Sequence, residues 1–221
     1  MMNFETKRFG DVVDVNPTVA LVRGQEYDFI PMEELTPRYK YVTPKEKREA
    51  GGGSKFHEKD TLFARITPSL EHGKICQVKG LAGGKGFGST EFFVFRGKDG
   101  ITDTDFVYYL TLTDIVRKTA IASMVGASGR QRAQISVIEN LDLPIPDLPT
   151  QKKIASILSA FDDLIENNLK RIKLLEEAAE LIYREWFVNL RFPGHEKLKV
   201  VDGVPEGWEK RNLFDICDIS M

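Results

Sequence analysis

Over the first hundred residues the apolar positions fall in short runs: "DVVDV" (11–15), "YDFIPM" (27–32), "TLFARI" (61–66), "KICQV" (74–78) and "TEFFVF" (90–95). Glycine, proline and charged residues punctuate them, so the pattern predicts a β-rich region of short strands. The charged stretch "PKEKREAGGGSKFHEKD" (44–60), with Gly51–Gly52–Gly53–Ser54 at its centre, reads as a mobile loop or hairpin tip. "GLAGGKGFGS" (80–89) reads as a second glycine-rich connection. Helical spacing follows in "TDTDFVYYLTLTDIVRKTAIASM" (102–124), with Thr102 or Asp103 as cap and Phe106, Val107, Leu110 and Ile115 on one side. "GASGRQRAQIS" (126–136) returns to loop composition, and "LDLPIPDLPT" (141–150) packs prolines at 144, 146 and 149 into a domain boundary.

Beyond Pro149 the pattern changes to heptads. Residues 150–190 hold no Gly and no Pro. Leu158, Ile165, Ile172, Ala179 and Trp186 take position a, and Ile154, Phe161, Asn168, Leu175 and Ile182 take position d. An apolar seam of this length predicts a coiled-coil helix, with Asn168 as its polar member, able to set register at some expense of stability. Ile157, Leu164, Leu174, Ala178 and Leu181 make a second stripe, so the helix is expected to be covered on a second side, by another subunit or by its own domain. "RFPGHE" (191–196) ends it.

The tail also matches the head. "WEKRNLFDICDIS" overlays "FETKRFGDVVDVN" without a gap at an offset of 204 residues. Phe4 falls on Trp208, Lys7 on Arg211, Phe9 on Leu213, Val12 on Ile216 and Val15 on Ile219, while Glu5, Asp11 and Asp14 meet identical residues at Glu209, Asp215 and Asp218. A second copy of the first domain is therefore expected to begin near Trp208. The organisation that results is 1–149 as a β-rich globular domain, 150–190 as the long helix and 191–221 as connector and start of the repeat. The fold class is α+β.

Composition narrows the chemistry. No apolar run approaches a membrane span, and no signal-peptide pattern opens the chain, so a soluble cytoplasmic protein is expected. Cys76 and Cys217 are isolated, which argues against a disulfide framework or a zinc site. Residues 1–149 hold 20 Lys+Arg against 20 Asp+Glu, so net charge gives DNA binding no support. "GGKGFGST" lacks P-loop spacing, and His57, His72 and His195 are scattered. Asp162–Asp163 and Glu176–Glu177 read as the solvated side of the helix. The chain is expected to be non-catalytic.

Several blocks in order, "LFARITPSLEHGKI" (62–75), "GFGSTEFFVFR" (86–96), "LDLPIPDLPTQKKIASILSAFDDLIENN" (141–168), "LIYREWFVNLRFPGHE" (181–196) and "VPEGWEKRNL" (204–213), resemble the specificity subunits of type I restriction–modification enzymes. One departure is Thr150, where a Glu commonly precedes the Gln; Thr is itself expected to serve as a helix cap. The resemblance implies two target recognition domains in tandem, each followed by a long helix, with the helices pairing antiparallel and each domain reading half of a split site in double-stranded DNA. The chain is then expected to be the N-terminal half of a longer subunit. Two copies would form an antiparallel homodimer along the seam. The resemblance also implies an adenine methyltransferase (modification) subunit and an ATP-dependent restriction subunit as partners. S-adenosylmethionine, ATP and Mg belong to those subunits and no cofactor to this chain. Ile157, Leu164, Leu174 and Leu181 are the candidate docking stripe.

Reading residues are expected in 1–149. The loop "SGRQR" supplies Ser128, Arg130, Gln131 and Arg132, because arginine pairs with guanine, glutamine with adenine, and hydroxyls adapt. Arg65, Lys74, Lys85 and Ser89 are further candidates from the resembling blocks, and Lys45, Lys47, Arg48 and Lys55 candidates for tracking the backbone. The rival class is a coiled-coil scaffold whose head binds protein, favoured by the balanced charge. A third is a nuclease or methyltransferase with an unfamiliar site, which detectable turnover by the chain alone would revive.

Overall fold

The computed structural model describes residues 4–217 and divides into two units, one ending at Asp163 and the other starting at Leu164. The first unit runs β1 (Phe4–Arg8), α1 (Phe9–Val12), β2 (Val13–Val15), β3 (Glu26–Ile30), β4 (Tyr41–Val42), β5 (Glu46–Glu49), β6 (Ser54–His57), β7 (Thr61–Ala64), β8 (Ile75–Val78), β9 (Lys85–Gly88) and β10 (Phe92–Gly97). It continues with α2 (Thr104–Leu112), α3 (Asp114–Ala122), α4 (Ile135–Glu139), β11 (Asp142–Pro146) and the long α5 (Leu148–Tyr183). The fold is α+β.

Two sheets carry the unit. One has the order β2-β10-β7-β8-β4, antiparallel except for the β8–β4 edge, and the other has the order β5-β3-β9-β6, with β3 and β9 parallel. Side chains alternate across a strand, and here both faces of the first sheet are covered. Phe63, Ile75, Phe93 and Phe95 point to a core shared with α2, α3, α4 and the start of α5. Leu62, Cys76, Phe92 and Val94 point to the opposite core, against Ile30 and Phe56 of the second sheet. Burial on both faces is why "TLFA" and "FFVF" are unbroken apolar runs and not alternating ones.

Several local expectations are corrected. Asp11 and Val12 belong to a helical turn, and the strand starts only at Val13. Residues 44–60 are not a hairpin: β5 and β6 occupy opposite edges of their sheet, because β3 and β9 lie between them. The "GKGFG" stretch is an inner strand of that sheet, not a connection. A Cβ on Gly88 would lie 2.2 Å from the Ile30 carbonyl oxygen, so the close parallel approach of β9 to β3 needs glycine there. Residues 102–124 make two helices, because Thr113 is extended and its hydroxyl donates to the Leu110 carbonyl at 2.7 Å. The break turns Ile115 out to solvent and buries Val116 and Ala120. Asp103, not Thr102, caps α2, accepting from Phe106 N at 2.9 Å.

The start of α5 is capped by Asp147, whose carboxylate accepts from Thr150 N at 3.1 Å, so Thr150 lies within the first turn and is not the cap. Pro149 is tolerated there because first-turn amides have no intrahelical partner. The side of α5 that meets its domain is largely polar. Lys40, with its side chain 1% exposed, donates to Ser159 Oγ at 2.6 Å, stands 3.5 Å from Asp105, and lies near the rings of Tyr41, Tyr108 and Tyr109. Tyr109 donates to Asp162 at 2.5 Å and Tyr41 to Asp163 at 3.0 Å. Asp162 is thus part of the joint to the domain and not a solvated edge, whereas Asp163 bonds Tyr41 but stays exposed. Burial lowers the Lys40 pKa despite Asp105; burial also opposes the Asp105 carboxylate, but Lys40 and Lys59 outweigh it and lower its pKa.

In the second unit the α-helical pattern gives way to a π-turn at Arg184–Val188, where Asn189 N bonds Arg184 O at 2.8 Å. A π-turn advances the chain by more residues per turn, so Trp186 leaves the strict heptad register that holds to Ile182. Gly194 (φ +90°) follows, then a hairpin of β12 (Val200–Val201) and β13 (Val204–Pro205). Trp208 stacks on Phe192 at 5.3 Å. A helical turn at Leu213–Asp215 falls, at the offset of 204, on Phe9–Asp11 in α1. The last matched positions, Asp218 and Ile219, lie outside the described residues. No strand forms over 208–212, whereas β1 is held by pairing with β11.

Asp105→Ala should destabilise the first unit by about 3 kcal/mol, since it leaves Lys40 buried without its counter-charge. Lys40→Met should cost much less, because Asp105 keeps Lys59 at 3.2 Å. Urea unfolding of the two variants tests the order.

Candidate nucleic-acid interface

The loop after α3 is closed by its own backbone. Val125 and Arg132 exchange hydrogen bonds at 3.1 and 2.9 Å, and Arg130 N returns to Ala127 O at 3.0 Å. Gly126 and Gly129 have φ of +129° and +77°, values that suit glycine and tighten the turn. Ser128 and Arg130 are exposed at the tip. The base is fixed to the chain leaving β7: Thr67 N donates to Gln131 O and Gln131 N to Thr67 Oγ1, both at 3.0 Å, and Ala133 N donates to Arg65 O at 2.8 Å.

This anchoring brings Arg65 and Arg132, 67 positions apart, onto one carboxylate. Arg132 donates to Glu91 through Nε (3.0 Å to Oε2) and Nη2 (2.6 Å to Oε1), and Arg65 through Nε at 3.1 Å. The hydrogen bond from Arg132 outweighs partial burial, and with Arg65 it holds the Glu91 pKa below the ordinary glutamate value. Glu91 N donates to Ser89 Oγ at 3.2 Å, which puts Ser89 in the same group. Next to it, a cleft of about 530 Å³ is lined by Phe29, Arg48, Gly52, Ser89 and Thr90. A smaller one of about 190 Å³ is lined by Asn16, Lys55, Arg65 and Thr90. The two share Thr90, so Arg48, Lys55, Arg65 and Ser89 lie on one continuous surface.

Arg48 and the remaining candidate cations differ in the contacts they make. Lys74 donates to the Met32 carbonyl at 2.9 Å, and Lys85 reaches the Ala20 carbonyl at 3.5 Å. Lys45 stands 3.8 Å from Glu34. Arg48 lies over the Phe29 ring at 3.8 Å and pairs with Glu46 at 2.7 Å. Lys47 is exposed on the edge strand β5. Sequence reasoning missed Glu91 and Thr90: a single acid and a single hydroxyl at a strand entry carry no periodicity or motif.

On α5 the domain covers Gln151, Ala155, Ser159 and Asp162, a line between the two apolar stripes. Ile157, the docking-stripe residue within the first unit, is left exposed. Ile154 packs against the first core, but Phe161 (64% exposed), Leu175 (67%) and Asn168 on the seam face solvent. So do Ile157, Leu164, Leu174 and Leu181 on the other stripe, and Leu158, Ile165, Ile172, Ala179, Ile182 and Trp186 on the first.

The model of the type I restriction modification DNA specificity domain matches residues 1–177. The chain belongs to this family. The specificity subunit of the type I restriction enzyme MjaVIII of Methanocaldococcus jannaschii is 27% identical over 222 residues, 95% of this chain and 49% of that protein. The EcoEI specificity subunit of Escherichia coli is 25% identical over 181 residues, 78% of this chain and 30% of that protein. Among solved structures, the HsdS subunit of Thermoanaerobacter tengcongensis has the same fold, with a TM-score of 0.57 at 17% identity over 87% of this chain and 50% of that one. The S subunit from M. genitalium gives 0.54 at 18% identity, over 85% and 46%. The specificity-domain chain spans half or less of the curated relatives it matches. No helix among its described residues is long and apolar enough to cross a membrane.

Thr67→Val removes the side-chain bond that holds Gln131 and should cost about 1 kcal/mol. Tryptic cleavage after Arg130 should become several-fold faster while the melting of the remaining unit changes little.

Proposed function

We propose that this chain is a non-catalytic DNA-recognition module of a type I restriction–modification complex, directing an adenine methyltransferase subunit and an ATP-dependent restriction subunit to a bipartite site. The observation that carries the reading is the family match over residues 1–177. The clustering of Arg48, Lys55, Arg65, Ser89 and Arg132 beside an exposed loop tip supports it. S-adenosylmethionine, ATP and Mg are assigned to the partner subunits, and the complex to the cytoplasm.

The exposed stripes of α5 support two partners. The seam of one copy is proposed to pair antiparallel with a second copy, burying Phe161 and Leu175 in an isologous contact. Ile154 to Ile182 spans 29 residues, on the order of 45 Å at 1.5 Å per residue, enough to separate two half-sites by more than one turn of B-DNA. The stripe of Ile157, Leu164, Leu174 and Leu181 is proposed as the docking face for the methyltransferase subunit.

Selection from randomised duplex DNA, with the chain bound to its methyltransferase subunit, should enrich an inverted, split repeat. No enrichment by the intact complex would favour the protein-binding scaffold instead. Replacing Phe161 and Leu175 by Glu should convert dimer to monomer in analytical ultracentrifugation. Leu164→Asp with Leu181→Asp should abolish binding of the methyltransferase subunit and leave the first unit folded. Lys47→Ala and Lys55→Ala should each weaken binding to all sequences alike and lower the salt slope by about one.

A further inference from the structure

The balanced charge of the first unit leaves open how its cations divide between bases and phosphates. We infer that Glu91 is a positioning residue that makes Arg65 and Arg132 readers of guanine edges and not holders of phosphate. This rests on the DNA-reading function proposed above.

The donor count supports it. A guanidinium has five N–H groups in a fixed plane. Arg132 commits Nε–H and one Nη2 hydrogen to Glu91, and Arg65 commits Nε–H alone. The Nη1 and Nη2 ends of both remain for the two acceptors, O6 and N7, that guanine presents in the major groove. Both side chains are held before DNA arrives. The backbone of residues 131–133 is bonded to 65–67, Arg65 N donates to the Glu91 carbonyl at 3.0 Å, and the Arg65 guanidinium lies 5.5 Å from the Phe93 ring. Such preorganisation removes part of the rotamer entropy lost on binding.

The charge count decides between base and phosphate. Two guanidinium groups around one carboxylate carry a net charge of about +1 in place of +2. A phosphate brought to either arginine meets the Glu91 carboxylate next to it, whereas the neutral edge of guanine needs only directed donors. Glu91 stays ionised because it accepts from both arginines, its pKa lowered first by the Arg132 hydrogen bond. Lys47 and Lys55, by contrast, have no ion pair among the described residues and suit the phosphate backbone.

The test compares the wild-type chain, Glu91→Gln, Arg132→Lys and Arg65→Lys, each assembled with its methyltransferase subunit, by selection on randomised duplexes and by titration against salt. Wild type should enrich a half-site with an invariant G·C pair. Arg132→Lys or Arg65→Lys, which keep the charge and a partner for Glu91, should relax that pair about tenfold or more. Glu91→Gln should relax the same pair while binding to unrelated duplex becomes tighter and its salt slope steeper. A purely structural cross-link would weaken both kinds of binding together. If Glu91→Gln keeps the wild-type motif, or loses affinity for all duplexes equally, the inference is overturned and DNA reading stands. If the wild-type complex enriches no motif, both fall.

Discussion

The long helix rests on its domain through a buried amine. Lys40 is enclosed by three tyrosine rings, the Asp105 carboxylate and the Ser159 hydroxyl. Tyr109 and Tyr41 carry the contact one step further, to Asp162 and Asp163. Greasy surfaces slide and repack at little expense, whereas a buried, hydrogen-bonded charge has few acceptable geometries. About four turns of α5 are thereby set in one rotation about their axis. That rotation sets which faces of this part of α5 stay open: the domain takes the Ala155–Ser159–Asp162 line, and Ile157, Leu158 and Phe161 face solvent.

Much of the fold was legible in the sequence because burial leaves a mark on residue type. The runs 61–64 and 92–95 are apolar throughout since two cores claim alternate side chains. The heptads from Ile154 to Ile182 name their helix without help. The misreadings share one cause, which is that local composition does not report pairing partners. Glycines at 86 and 88 read as a loop until β3 is placed against them. Residues 44–60 read as a hairpin until two strands come between β5 and β6. Thr113 breaks a helix by a single hydroxyl, and nothing in the flanking residues announces it.

The candidate site was legible in part. Its glycine-flanked polar character marks the tip Ser128–Arg132 as a candidate, and the resembling blocks mark Arg65 and Ser89. What joins them, Glu91, was not, since the link depends on the Thr67–Gln131 and Arg65–Ala133 backbone bonds between segments far apart in the chain. The polar joint was hidden for a similar reason. Asp162 and Asp163 have the sequence signature of a solvated helix face, and only the tyrosines across from them make them structural.

The pairing of β1 with β11 sets Phe4 opposite Pro146 and Arg8 opposite Asp142. The chain therefore enters and leaves the globular part at one place, on two adjacent strands roughly 5 Å apart. Everything between, including the clefts and the loop tip, begins and ends at that double seam. A body with its two ends side by side can be replaced by another without altering the path of the chain on either side, provided that the replacement keeps the Lys40, Tyr41 and Tyr109 contacts to α5. Such a replacement would change the clefts and the loop tip in one step and leave the two exposed stripes of α5 as they are.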